Sequence, residues 1–277
     1  MSFILLGLVQ GLSEFFPISS SGHLVILKNL LKVELPGATF EAYLHFATIL
    51  AVIYLFNQEI KKLIISFLKS FGALLQGRRI KSIFQDDPFA KYAWFLIIST
   101  IPAAVIGLTL NDYFETLFDK PIITSLMLFV TGTILWFGSR VYKGGNKTIQ
   151  NAKGSDALFV GLAQTVAIVP GISRSGMTVL ACLSKGFDKD FAARYSFILS
   201  IPIILGATIF KIRDIFFLNV PIYIMLISGI AAFISSYGAM RIFIGILKKG
   251  KIYYFSYYLW IISAVTFYLT FLMKRSG

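Results

Sequence analysis

Two stretches of the chain carry the residue types that phosphoryl transfer uses. Residues 10–23 read QGLSEFFPISSSGH and residues 170–178 read PGISRSGMT. In the first, Gln10 and Glu14 are four apart, so on a helix they share a face, and Pro17 is followed by Ser19, Ser20, Ser21, Gly22 and His23. Hydroxyls for capping, a small residue for close approach and free backbone N–H groups make this run an anion site at a helix N-terminus, with His23 placed to shuttle a proton. In the second, Arg174 stands between Ser173 and Ser175, with Thr178 one turn along. A guanidinium at the start of a helix, where the dipole adds positive potential, matches a phosphate in charge and in hydrogen-bond geometry. A carboxylate, a histidine, an arginine and several hydroxyls are what a phosphoryl-transfer transition state needs, because it requires positioning and charge stabilisation above all. Each residue also has a purely structural alternative. Glu14 could pair with a lysine such as Lys28 at an interface, His23 could hydrogen-bond inside a bundle, and Arg174 could snorkel or pair with Glu14.

The chain that must position these groups is 57% hydrophobic and 14% charged, with mean hydropathy +0.78 over 277 residues. A soluble core of this size cannot hide so much apolar surface, so this is a membrane protein. Stretches free of Asp, Glu, Lys and Arg at 42–58, 92–110, 121–139, 195–210, 215–240 and 252–273 are read as six spanning helices, each near the roughly 20 residues a helix needs to cross. His45, inside 42–58, reads as packing or cavity-lining, and the single cysteine, Cys182, as core packing without disulfide or metal-site spacing. The opening segment has neither a basic n-region nor a small-residue cleavage site, so it is expected to stay in the mature fold. The net charge of +13 lies mostly in segments 59–91, 140–153 and 241–251, which the positive-inside rule makes cytoplasmic and which need no nucleic acid partner. Segment 111–120 carries Asp112, Glu115 and Asp119 against Lys120 and is placed outside; Lys211 and Arg213 weaken the same placement for 211–219. Residues 59–75 look like an amphipathic helix on the cytoplasmic surface, and 76–90 like its loop.

The two chemical stretches are copies of one pattern. GLVQGLSEFFPISSSG at 7–22 and GLAQTVAIVPGISRSG at 161–176 share G-L-x-Q and I-S-x-S-G at a constant offset of 154 positions. Pro17 and Pro170-Gly171 divide segments 1–32 and 155–185 into pieces too short to cross, which suits re-entrant helical hairpins. Broken backbone at membrane depth is tolerated where protein buries it or where it lines a polar cavity. The chain then reads as a single polytopic domain of two repeats, 1–139 and 155–277, each a hairpin followed by three spanning helices: 42–58, 92–110 and 121–139 in the first and roughly 191–210, 220–240 and 252–273 in the second. Three crossings is an odd number, so the second repeat is expected to lie inverted, with hairpin 1 entering from outside, hairpin 2 from inside and both tips meeting near the midplane. The fold class is all-α integral membrane protein.

The stretches at 10–23 and 170–178 resemble the two signature motifs of the undecaprenyl-diphosphate phosphatase family, the bacitracin-resistance type, and the resemblance extends over the whole chain in length, hydropathy and motif order. It implies a multi-pass enzyme of the bacterial plasma membrane with an outward-facing site. Such an enzyme hydrolyses undecaprenyl diphosphate to undecaprenyl phosphate and inorganic phosphate, recycling the lipid carrier for peptidoglycan synthesis. Carried over by residue, the family's E/Q-x-x-x-E pattern falls on Gln10 and Glu14, its serine on Ser20, its histidine on His23 and its phosphate-binding arginine on Arg174. This chain has Gln10 where other members carry Glu, which leaves Glu14 as the base or the contact of the divalent cation, magnesium or calcium, that the resemblance implies.

The expected mechanism has Arg174, Ser173, Ser175 and Thr178 holding phosphate oxygens, with Gln10, Ser19 and Ser21 lining the substrate. Ser20 attacks the terminal phosphorus or orients a water, Glu14 activates the nucleophile, and His23 transfers protons. Partners are the polyprenyl diphosphate and membrane lipids, and a homodimer is left open. A lipid transporter is the rival from another class, because inverted repeats with broken helices also build secondary transporters; a structural scaffold would not explain Arg174 and Glu14 at membrane depth.

Overall fold

The computed structural model describes residues 2–31, 37–118, 120–142, 145–218 and 220–275. They form thirteen helices: α1 (Ser2–Phe15), α2 (Ser20–Leu31), α3 (Gly37–Leu55), α4 (Asn57–Leu75), α5 (Ile80–Asp86), α6 (Pro88–Thr109), α7 (Asn111–Phe118), α8 (Pro121–Val141), α9 (Gly154–Val166), α10 (Arg174–Ser184), α11 (Lys189–Phe216), α12 (Ile222–Lys248) and α13 (Tyr254–Arg275). Among the described residues there is no strand, only an isolated bridge between Lys147 and Phe187. Five helices, α6, α8, α11, α12 and α13, are long and apolar enough to cross a membrane, and α3 with α4 makes a sixth if that pair, bent by 90°, counts as one span. The protein is a multi-pass, all-α membrane protein. Asp119 and Lys143 lie outside the described residues, as do the side chains of Lys28, Asp112 and Glu115.

Several boundaries differ from the charge-free stretches. The charge-free stretches 195–210 and 215–240, read as spans over roughly 191–210 and 220–240, belong to helices over Lys189–Ile215 and Ile222–Lys248, which start within two residues of that reading and end beyond it. Charge does not end a helix when the charge is paired: Arg194 donates to Asp190 at 2.7 Å, and Lys248 reaches Asp190 at 2.9 Å. Lys211 and Arg213 sit near the C-terminus of α11, where cations suit the helix dipole. The expected loop at 76–90 contains α5, and α6 begins within it, because Asp87 caps α6 by accepting from the N–H groups of Phe89 and Ala90 while Pro88 takes the first helical position. The amphipathic helix is α4, with Ile64, Ile65, Leu68 and Phe71 exposed and Ser70 accepting from Trp94 Nε1 of α6 at 3.0 Å.

The pieces of the two hairpins, α1/α2 and α9/α10, have at most 14 residues each, a length of about 21 Å against the roughly 30 Å of a bilayer core. Each first piece packs on the opposite half of the chain: α1 on α12, and α9 on α6. Glycines permit that approach, as small residues do between membrane helices. A Cβ on Gly7 would strike the Ser228 carbonyl, and one on Gly11 the Ala232 carbonyl and the Ser235 hydroxyl; one on Gly161, the counterpart of Gly7, would meet the Ser99 carbonyl at 2.7 Å. Between α8 and α13, Ser125 Oγ donates to the Ser263 carbonyl at 2.9 Å, and Ser263 Oγ returns the bond to Ser125 at 2.7 Å.

Gly11→Ala is expected to cost about 1–3 kcal/mol by overpacking, read as a lower midpoint of thermal unfolding in detergent. Gly238→Ala and Gly245→Ala, whose added Cβ atoms meet nothing within 4 Å, should not lower it. An unchanged midpoint for Gly11→Ala would show that α1 does not rest on α12.

Candidate active site

The two hairpin tips are built alike. Ser19 Oγ accepts from the Gly22 N–H at 3.3 Å, and Ser173 Oγ from the Gly176 N–H at 3.1 Å. The hydroxyls of Ser19 and Ser21 lie 3.2 Å apart and those of Ser173 and Ser175 3.3 Å apart. In I-S-x-S-G the first serine is therefore the cap, and the glycine faces the other tip. A Cβ on Gly22 would lie 3.4 Å from Gly171 Cα, and one on Gly176 3.2 Å from Pro17 Cβ; Pro17 and Gly171 are equivalent positions of the repeat. Ser175 Oγ crosses the junction to donate to the Phe16 carbonyl at 3.0 Å, and Thr131 Oγ1 of α8 donates to the Gly171 carbonyl at 2.8 Å. Ser19 has φ +66°, a left-handed conformation that costs a non-glycine residue on the order of 1–3 kcal/mol and persists only where surrounding contacts hold it.

The variable position of the motif is Ser20 in one copy and Arg174 in the other, each the first residue of its helix, α2 or α10. Both reach Glu14, near the end of α1. Ser20 Oγ donates to Glu14 Oε2 at 2.7 Å, and the Arg174 guanidinium donates to Glu14 Oε1. A second nitrogen of Arg174 donates to the Ser196 carbonyl at 3.4 Å. Gln10 Nε2 donates to Glu14 Oε2 at 2.8 Å. Glu14 is 6% exposed and Gln10 fully buried, whereas Ser20 is only partly covered. A hydroxyl hydrogen-bonded to a carboxylate that is oriented by further donors is the arrangement of an activated nucleophile.

The remaining residues singled out in the sequence hold this constellation in place. Thr178 Oγ1 donates to the Arg174 carbonyl at 2.9 Å and lies 2.6 Å from Ser196 Oγ of α11, so Thr178 ties the arginine's turn to a spanning helix. Ser173, Ser175, Ser19 and Ser21 are engaged within and between the tips as described. His23 is buried, and its Nδ1–H donates to the Ser19 carbonyl at 2.8 Å. Since a carbonyl only accepts, Nδ1 carries the proton, and in the neutral ring Nε2 accepts from the Tyr258 hydroxyl of α13 at 2.6 Å.

His45, read from the sequence as packing or cavity-lining, meets the site's polar groups in the fold. Its Nδ1 lies 3.0 Å from Glu14 Oε2 and 2.9 Å from Gln10 Nε2. An ionisable side chain in an otherwise apolar span was the signal for it. Tyr258 and Ser196 carried no such signal, because each lies far along the chain from the tip it serves.

The donor set does not make a resident cation site. Among the described residues no three His, Cys, Asp or Glu side chains converge on one point, and both Glu14 oxygens already accept hydrogen bonds, whereas magnesium or calcium seeks about six oxygen ligands.

Residues 3–265 match the family described as bacitracin resistance protein BacA. The chain is 40% identical over 266 residues, 95% of each protein, to an undecaprenyl-diphosphatase of Methanobrevibacter smithii, and equally identical over the same span to one of Alkaliphilus metalliredigens. It is 38% identical over 271 residues, 98% of each, to an undecaprenyl-diphosphatase of Methanosphaera stadtmanae. A match over residues 3–265 takes in both hairpins, the spanning helices up to α12 and the first half of α13: the chain belongs to the bacitracin resistance protein BacA family.

Proposed function

We propose that this protein hydrolyses undecaprenyl diphosphate to undecaprenyl phosphate and inorganic phosphate, recycling the lipid carrier for peptidoglycan synthesis. The observation that carries the reading is the Ser20 hydroxyl donating to Glu14 Oε2 at 2.7 Å while Arg174 holds the other carboxylate oxygen, in a chain whose relatives are undecaprenyl-diphosphatases. In this reading the diphosphate enters between the tips and takes the guanidinium from Glu14, since a phosphate is the better bidentate partner. Glu14, relieved of its cation, accepts the Ser20 proton as Oγ bonds to the terminal phosphorus. The bridging P–O bond breaks, and undecaprenyl phosphate leaves with the electron pair. The proton on Glu14 passes to the departing lipid phosphate, and water then hydrolyses the phosphoserine, Glu14 taking a proton from the water and returning it to Ser20 Oγ. Arg174, with the N–H groups at the start of α10, stabilises the charge on the phosphoryl oxygens. Ser173, Ser175 and Thr178 keep that helix start aimed at the phosphate, Ser19 and Ser21 do the same for Ser20, and His23 passes protons through Tyr258. A cation accompanying the diphosphate would be held largely by phosphate oxygens.

The site is proposed to face outward in a bacterial plasma membrane, within an inverted repeat. Supporting this are the basic segments on one set of connections, the acidic segment 111–120 on the other, and the exchange of α1 and α9 onto the opposite half.

Purified protein in detergent is expected to release phosphate from undecaprenyl diphosphate; release of none would favour lipid transport instead. Arg174→Ala should lose at least ~100-fold in rate, and Arg174→Lys, which keeps the charge but not the fork, should recover only part of it. Near-normal turnover by Arg174→Ala in folded protein would remove the arginine from the site. With a slow substrate, phosphate is expected to be trapped covalently on Ser20, and intact turnover by Ser20→Ala would refute serine attack. For the topology, a membrane-impermeant thiol reagent should label Tyr113→Cys in intact cells and Arg79→Cys only after permeabilisation, with the buried Cys182 silent; the reverse pattern would invert the assignment.

A further inference from the structure

The carboxylate of Glu14 is the acceptor on which the proposed chemistry turns, and α1, α2 and α10 do not by themselves account for where Oε2 points. Arg174 fixes Oε1. Oε2 stands in a triangle with two nitrogens: Gln10 Nε2 at 2.8 Å, His45 Nδ1 at 3.0 Å, and 2.9 Å between those nitrogens. Gln10 reaches from the preceding turn of the same helix, so it moves with Glu14. His45 comes from α3, which packs against both α11 and α12. It is therefore the link between Oε2 and the spanning framework rather than another part of the hairpin. Its own segment is held: Phe40, Leu44 and Thr48, around it on α3, are fully buried.

We propose that His45, a residue of the first spanning segment, is a positioning residue of the active site, which with Gln10 fixes Glu14 Oε2 where it accepts the Ser20 hydroxyl. The triangle needs a polar side chain there that can either donate to Oε2 or accept from Gln10. In any arrangement of protons Gln10 can donate to Oε2, and His45 either adds a second donor to Oε2 or accepts the other amide hydrogen of Gln10; both options hold the carboxylate against rotation. Without His45, Oε2 could turn toward α3 and lengthen its 2.7 Å contact with Ser20. Because the hydrogen bonds of the His45 ring go to Glu14 and Gln10 and not to Arg174 or the tip serines, its loss should act on the chemical step and leave binding alone.

This inference rests on the function proposed above, and the experiment separates the two. Phosphate release from undecaprenyl diphosphate is measured for folded, detergent-purified His45→Leu, His45→Gln and Glu14→Gln and for the Glu14→Gln/His45→Leu double variant, with thermal unfolding as the check on folding. His45→Leu is expected to lower kcat by ~10- to 100-fold, the scale of a small misplacement of a reacting group, with KM within about threefold. His45→Gln, which restores an N–H donor of similar reach, is expected to recover most of kcat. The double variant should be no slower than Glu14→Gln alone, since a residue acting through another has nothing left to add once that one is gone. Wild-type kcat in His45→Leu, a loss confined to KM, His45→Gln as impaired as His45→Leu, or additive losses in the double variant would each overturn the proposal. If His45→Leu does not fold, His45→Gln against His45→Asn, one carbon shorter, decides it: equal kcat for the two would overturn the proposal. Full activity in Glu14→Gln would instead remove the underlying assignment of Glu14.

Discussion

One carboxylate sets the terms for this structure. Glu14 lies almost fully buried among helices of a membrane protein, and its charge partner comes from the other half of the chain, 160 residues away. A lone buried carboxylate would carry an uncompensated desolvation cost of several kcal/mol, and removing one member of such a pair typically destabilises by about 3–5 kcal/mol. The Glu14–Arg174 contact therefore requires the two hairpin tips to meet, and much of the surrounding detail serves that meeting. Gly22 and Gly176 face Gly171 and Pro17 of the other tip, Ser175 bonds across the junction to Phe16, and Gly7, Gly11 and Gly161 let the outer arm of each hairpin sink against a spanning helix.

The repeated motif divides its labour by position. Its first serine and its glycine do the same work in both copies, capping the inner helix and facing the other tip. The position between the serines is where the copies part, hydroxyl in one and guanidinium in the other, and because the caps are alike both side chains are delivered to one carboxylate from opposite sides. Rigid, capped helix starts are the supports that reacting groups need if they are to be held within a fraction of an ångström. The left-handed backbone at Ser19 fits this picture, since local strain persists where neighbouring contacts over-determine the conformation.

Composition establishes a membrane protein and the length of the charge-free runs makes it all-α, because both depend only on how much nonpolar surface must avoid water. The two broken hairpins were legible for a similar reason: proline and glycine act on the backbone locally, and a serine before an apolar run is a cap in almost any context. Local rules also account for the misread boundaries. A stretch free of charge is not the same as a helix, and the ends of α11 and α12 run past it because Asp190 neutralises Arg194 and Lys248, a pairing that no single segment displays.

The sequence by itself thus marked the candidates for reaction, Glu14, Ser20, His23 and Arg174, since each is a polar group in a setting where polar groups are costly. Only the tertiary structure decided which of them meet. It placed Ser20 and Arg174 on the two oxygens of Glu14, engaged both ring nitrogens of His23 with Ser19 and Tyr258, and brought His45 from an apolar span to the same carboxylate. The physical reason is that hydrogen bonds and ion pairs act over about 3 Å, whereas the residues they join here lie up to 235 positions apart in the chain; that distance is closed by helix packing.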